Sequence, residues 1–279
     1  MTDASLPDPA NTLLSEYAAE WLGAASRRRS RRAFEPTDAE PSRLARLSTL
    51  CDEWHPYPDA RVVLVAHPAI DIFTGIVGSY GKVKGAPHVL VFIGDERTEF
   101  TDQHVGYTGE AIVLEATVLG LATCWVGGFF SAKRVAQIVE LGPGERAYAV
   151  SPLGTPLNSD SLVERTMAGM AGARKRKRVT EIAPGIEQGD WPTWAVAAVE
   201  TARVAPSAMN RQPWRFRFED GGLVIAKDAP FETPKVTKRF DIGIAMLHVE
   251  LAAHAHGLTG RWTDLVGSDV ARFDPDTSR

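Results

Sequence analysis

Apolar residues recur at helical spacing over 11–26, NTLLSEYAAEWLGAAS, where Leu13, Leu14, Tyr17, Trp21 and Leu22 share one side of a helix. PTDAEPSRLARLSTLCDEW (36–54) predicts a second helix, capped by Asp38 or Ser42 near its start. RVVLVA (61–66) and PHVLVFIGD (87–95) are apolar, β-branched and bounded by Pro or Gly, the pattern of buried strands. A strongly apolar helix is expected over GYTGEAIVLEATVLG (106–120), and a strand ending in a turn over AYAVSPLGTP (147–156). Further on, WAVAAVETARVA (194–205) predicts a helix, and RFRF and LVIA predict strands around the turn EDGG. GIAMLHVELAAHAHG (243–257) predicts the last helix.

This last helix aligns without gaps on the 106–120 helix. Extended to Trp125 and Trp262, six of twenty positions agree: Gly106/Gly243, Leu114/Leu251, Ala116/Ala253, Gly120/Gly257, Leu121/Leu258 and Trp125/Trp262. Each part of the chain runs helix, strand, then an apolar helix ending G-L-x-x-x-W, so an internal repeat is expected. The Gly/Pro-rich stretch APGIEQGDWP (183–192) is the candidate linker, dividing the chain into halves 1–185 and 186–279.

At 279 residues, 44% hydrophobic and 24% charged, the chain is long enough to bury a substantial core. A net charge of −4 argues against a protein built around nucleic acid or an anionic membrane. Cys51 and Cys124 are too few for a disulfide framework or a cysteine metal site. The acidic start MTDASLPDPA has no basic and apolar leader, and no apolar run reaches the length of a membrane span, so a cytoplasmic location is expected. G-x-S-x-G, H-E-x-x-H and G-x-x-x-x-G-K-[ST] are absent. His248, His254 and His256 are not spaced to gather ligands on one helix face, and no metal site is expected.

Two basic runs remain. RRRSRR (27–32) is either a solvated patch or a phosphate clamp, in which guanidinium forks and a serine hydroxyl bind phosphate oxygens. Ala33-Phe34 ties the run to the core, which favours the clamp. RKRKR (174–178) is either solvated or a contributor to the same anion site. A nucleic-acid protein built on both runs is the less favoured reading.

RRSRRAF (28–34) resembles the R-x-S-x-[RK]-x-F signature of the FMN-dependent nitroreductase family, and APSAMNRQPWRF (205–216) resembles its A-P-S-x-x-N-x-Q-P-W motif. GKVKGAPHVLVFIGD (81–95), GLATCWVGGF (120–129) and VSPLGTP (150–156) resemble its intermediate segments in order. In the usual member both motifs lie close together in a short chain that homodimerises. Here they occupy corresponding places in two different halves, and CDEWHPYPDAR stands where the first half's N-x-Q-P-W would be. The chain therefore resembles the tandem, fused pseudo-dimer type.

The resemblance implies an α+β nitroreductase-like fold, a mixed β-sheet flanked by helices, with two homologous halves forming an internal pseudo-dimer. It implies one FMN per chain. Arg28, Arg29, Ser30 and Arg32 would hold the phosphate and ribityl chain, with Arg174 or Arg176. Ser79 and Lys82 match positions at the pyrimidine edge, where a cation favours the anionic reduced ring. Gly127 and Gly128 would bring a backbone N–H against N5. Pro206, Ser207, Ala208 and Asn210 would cover the ring, while Gln212, Pro213 and Trp214 would fix the turn. No side chain is expected to be catalytic in its own right. The implied activity is ping-pong hydride transfer from NADH or NADPH to a small organic acceptor, by a monomer. The alternative is a protein that stores FMN.

Overall fold

The computed structural model describes residues 9–73, 83–157, 175–228 and 235–276. Helix α1 (Pro9–Arg27) buries Leu14, Ala18 and Trp21, the stripe its apolar spacing sets out. Helix α2 (Pro41–Glu53) differs from expectation at its start. Glu40 is the N-cap and makes no side-chain cap, while Pro41 enters the first turn, where its missing N–H costs nothing. Ser42 Oγ instead donates to Glu40 Oε1 at 2.6 Å, and Asp38 lies outside the helix.

Strands β1 (Ala60–Ala66), β2 (His88–Asp95), β3 (Ala122–Thr123) and β4 (Glu145–Gly154) form a sheet in the order β1-β2-β4-β3. Strands β5 (Trp214–Glu219), β6 (Gly222–Lys227), β7 (Gly260–Asp264) and β8 (Asp269–Pro275) form a second, in the order β5-β6-β8-β7. Every ladder in both is antiparallel. The expected single mixed sheet is thus corrected to two antiparallel ones. Parallel pairing is confined, among the described residues, to the isolated bridges Ser30↔Thr123 and Ala33↔Lys84.

Helix α3 (Thr101–Val118) follows β2, helix α4 (Thr193–Arg203) precedes β5, and helix α5 (Lys238–Ala255) follows β6. The halves thus share the order helix, two strands, a long apolar helix and two strands, with α1 preceding this order in the first. Helices α3 and α5 pack on each other at the centre and are buried along almost their whole length, which is why apolar residues fall on all their sides and why their few charged residues, such as Glu110, His248 and Glu250, are hydrogen-bonded inside. One core joins the halves: Trp21, Leu47, Leu114 and Leu153 pack in the same cluster as Trp194, Phe216, Met246 and Phe273. Ile182 and, within the linker candidate, Ala183 are buried in the same core. Strand β2 is covered on both faces. Leu90 and Phe92 meet this core, while Val89, Val91 and Ile93 meet a smaller cluster with Ile72, Val135 and Val150. No helix among the described residues is long and apolar enough to cross a membrane.

Candidate anion site at the seam of the halves

After α1 the chain runs extended and is strapped on two sides. Arg31 N donates to Thr123 O (2.9 Å), Lys84 N to Arg32 O (2.9 Å) and Phe34 N to Lys84 O (3.0 Å). Phe34, buried, anchors the far end. Side chains then separate: Arg28 is buried while Arg29 and Ser30 are exposed. Burial holds the Arg28 pKa below its ordinary value, partly offset by Glu110. Its Nε is buried with no hydrogen-bond partner among the described residues. A guanidinium kept dry and incompletely bonded is costly unless an anion completes it.

PSAMNRQPWRF forms a tight turn between α4 and β5. Met209 (φ 53°), Asn210 (φ 55°) and Gln212 (φ 48°) all adopt left-handed backbone, which non-glycine residues rarely do unless their surroundings impose it. Asp241, in the first turn of α5, imposes part of it by accepting from Ala208 N (2.9 Å) and Arg211 Nε (2.6 Å). Ser207 Oγ accepts from Gln212 N (3.0 Å). The second basic run supplies the rest. Asn210 Oδ1 accepts from Arg176 Nη1 (2.8 Å), and its Nδ2 donates to Lys175 O (2.9 Å). Gln212 Oε1 accepts from Lys177 N (2.8 Å), and its Nε2 donates to Lys175 O (3.1 Å). The Asn210 amide is thus engaged at both ends, its oxygen with Arg176 and its nitrogen with the Lys175 carbonyl. Pro206, Pro213 and Trp214 are buried behind the turn.

Arg176 is where the two motifs meet. Burial lowers its pKa, and the neighbouring charges of Arg28, Arg29 and Arg203 lower it further. Arg203, in the last turn of α4, was not singled out by the sequence. Only its helix-terminal place and its position just before PSAMN signalled it. Gly127 and Gly128 close the circuit. A Cβ on Gly127 would press on Val236, and Lys235 Nζ donates to Gly128 O at 2.9 Å. Arg211 Nη2 donates to Val236 O (3.0 Å), so this segment also touches the PSAMN turn. The structure therefore brings Arg28, Arg29, Arg176 and Asn210 together at the seam, while Ser30 bridges Thr123, and Gly127 and Gly128 lie against Val236 and Lys235 beside the PSAMN turn. Arg32 is half-buried and fixed by its backbone. Ser79, Lys82 and Arg174 lie outside the described residues.

The corresponding place in the other half is built differently. At the repeat offset set by Gly106 and Gly243, Asp241 corresponds to His104, and Gly127 to Asp264. His104 Nδ1 meets Asp59 Oδ1 at 2.8 Å, and its Nε2 meets Asp264 Oδ2 at 3.0 Å. Tyr57, from the segment standing in for N-x-Q-P-W, stacks on the imidazole with centroids 3.9 Å apart. Where one seam converges cations, the other is closed by ion pairs and a stacked ring.

Two antiparallel sheets around paired central helices, with an arginine-lined seam, define a nitroreductase-like α+β fold. The family model described as "Putative TM nitroreductase" matches residues 21–253, and the chain belongs to that family. A Thermotoga maritima protein described as a "putative nitroreductase" superposes with a TM-score of 0.56 at 21% identity, over 91% of this chain and 92% of that one. At that identity the likeness is one of fold. A Bacteroides fragilis nitroreductase with bound FMN aligns over 51% of this chain and 91% of its own, at 16% identity and a TM-score of 0.41. An FMN-dependent nitroreductase of Clostridium difficile aligns over 50% and 89%, at 17% identity and a TM-score of 0.40. No curated protein matches this sequence.

Proposed function

We propose that the chain is an FMN-dependent oxidoreductase that takes electrons from NADH or NADPH and passes them to a small organic acceptor in ping-pong order. The observation that carries this is buried Arg28, whose unpartnered Nε lies in a seam shared with Arg29, Arg176 and Arg203. Such a convergence suits a phosphate monoester, which pairs with several guanidinium groups at once. FMN, when bound, supplies a two-electron carrier that no side chain here provides.

The residues present fit that group. Arg28, Arg29, Ser30 and Arg32 would hold the phosphate and ribityl chain, Arg176 joining from the second half. Ser207 and Ala208 would wall the ring, backed by buried Pro206, and the Gly127-Gly128 backbone would approach it. Asn210 acts through Arg176, which it orients. By the family resemblance, Ser79, Lys82 and Arg174 would complete the site. Because one chain supplies both walls, we propose that a monomer in a cytoplasmic setting suffices, and that the halves are duplicates of which only one seam binds flavin.

Anaerobic mixing of the FMN-loaded protein with NADH or NADPH tests the activity. Bleaching of the flavin band, reversed by a quinone or nitroaromatic, is expected. Flavin that stays oxidised with both nucleotides would overturn the enzymatic reading and leave a flavin store.

A further inference from the structure

We propose that Asp38, His67 and His88 form a site for a divalent metal ion of the Zn2+ class. The three converge at the end of the first sheet. His88 opens β2 opposite Ala66, the last residue of β1, and His67 follows immediately. His67 turns through a left-handed backbone (φ 44°) and donates its N–H to Pro87 O at 2.9 Å. Asp38 lies four residues beyond Phe34, on the segment that carries the arginines.

The distances suit one ion. His67 Nε2 is 3.0 Å from Asp38 Oδ1, and His88 Nε2 is 3.5 Å from the same oxygen. One ligand atom from each residue lies within 4.8 Å of the others. Ligands about 2.0–2.1 Å from a tetrahedral Zn2+ stand about 3.3 Å apart, within that range. Two imidazoles and a carboxylate form a borderline donor set preferred by Zn2+ and its neighbours over Ca2+ or Mg2+.

His88 supplies the independent observation. It is 1% exposed, and neither ring nitrogen has a hydrogen-bond partner among the described residues. An ion pair between Asp38 and His67 alone would leave that buried ring unexplained; metal ligation completes it. Asp38 and His67 are exposed, leaving room for water as a further ligand. A metal here would tie the far end of the arginine segment to the β1–β2 end of the sheet. Scattered along the chain, the three ligands form no spacing motif.

Titration of metal-free full-length protein tests the site, with Zn2+ followed by calorimetry and Co2+ by its visible ligand-field bands. One equivalent per chain is expected, with low-coordinate Co2+ bands and a Zn2+-dependent rise in Tm. H67A and D38N alter exposed side chains, and each should weaken Zn2+ binding by more than about tenfold. Circular dichroism of the metal-free variants verifies that they remain folded, and H55A serves as a control that binds normally. Absence of stoichiometric binding, or binding unchanged in folded H67A and D38N, would overturn the proposal.

Discussion

Gly106 and Gly243 occupy reciprocal positions in the crossing of α3 and α5. A Cβ on Gly106 would collide with the Phe240 carbonyl oxygen, three residues before Gly243, and one on Gly243 with the Gln103 carbonyl oxygen, three residues before Gly106. The reciprocity continues outward. Helices Thr101–Val118 and Lys238–Ala255 begin and end at matching places, and Gly120 (φ 73°) and Gly257 (φ 74°) terminate them alike. Leu121 N then donates to Ala116 O at 2.8 Å, as Leu258 N does to Ala253 O at 3.0 Å, the same Schellman closure. This pseudo-twofold crossing is the strongest support for our proposal that the halves arose by duplication.

G106A and G243A should each destabilise the protein by about 1–3 kcal/mol or more, because the opposing atoms are backbone and cannot rotate away. G23A, in α1, where the added carbon would meet only the end of Arg27 at 3.4 Å, should be neutral or stabilising by up to about 1 kcal/mol. Denaturant unfolding of the three variants checks the contrast. Equal effects would show that the crossing is not tightly constrained.

His104 clamps the halves together as a charged group. Burial opposes its protonation, but Asp264 and Asp59 outweigh burial and raise its pKa from 6.5 to about 9. Because the folded value exceeds the unfolded one, its stabilisation is complete below about pH 6.5 and is lost as pH rises through about 9. Unfolding midpoints measured across that window should fall in the wild type. D264N should show a smaller fall.

Glu250 points the other way in charge but not in sign. Burial raises its pKa from 4.5 to about 7, although Tyr107 Oη and Trp262 Nε1 both donate to its Oε2 at 2.7 Å. A raised carboxylate pKa again means stability that is present below about 4.5 and declines as pH rises through about 7. E250Q keeps an acceptor for both donors and carries no charge, so it should lack this decline and exceed the wild type in stability above pH 7. A parallel pH profile for both proteins would contradict the assignment.

Removal of single arginines should map the anion site. R28A and R176A should each weaken FMN binding about tenfold to a hundredfold, the worth of one or two charge-assisted hydrogen bonds. R217A should not, since Arg217 pairs with Asp269 on the second sheet. Fluorescence titration of FMN into each variant gives the comparison.

Most of the scaffold was legible because its pattern and its burial agree. RVVLVA and PHVLVFIGD became β1 and β2 almost to the residue, and the glycines ending α3 and α5 were visible as repeated G-L pairs. Strands β7 and β8 were missed. GRWTD and DVARFDP carry charges at exposed or half-exposed positions and too few β-branched residues to announce a strand. The mixed sheet was misjudged because antiparallel order depends on which strands neighbour one another, a tertiary fact. In the site, the residue types of RRSRR and PSAMNRQPW signalled an anion and a tight polar turn. The bond from Arg176 to Asn210 and the approach of Arg203 depend on how α4 and the second basic run are brought together, which no local spacing encodes.

The composite seam is tested most directly by counting flavin. Purified apoprotein saturated with FMN should retain one flavin per chain in a species of monomer mass, because Arg28 and Arg176 stand near enough within one chain to repel each other while His104, Asp59 and Asp264 close the other seam. Two flavins per chain, or flavin retained only at dimer mass, would contradict the account.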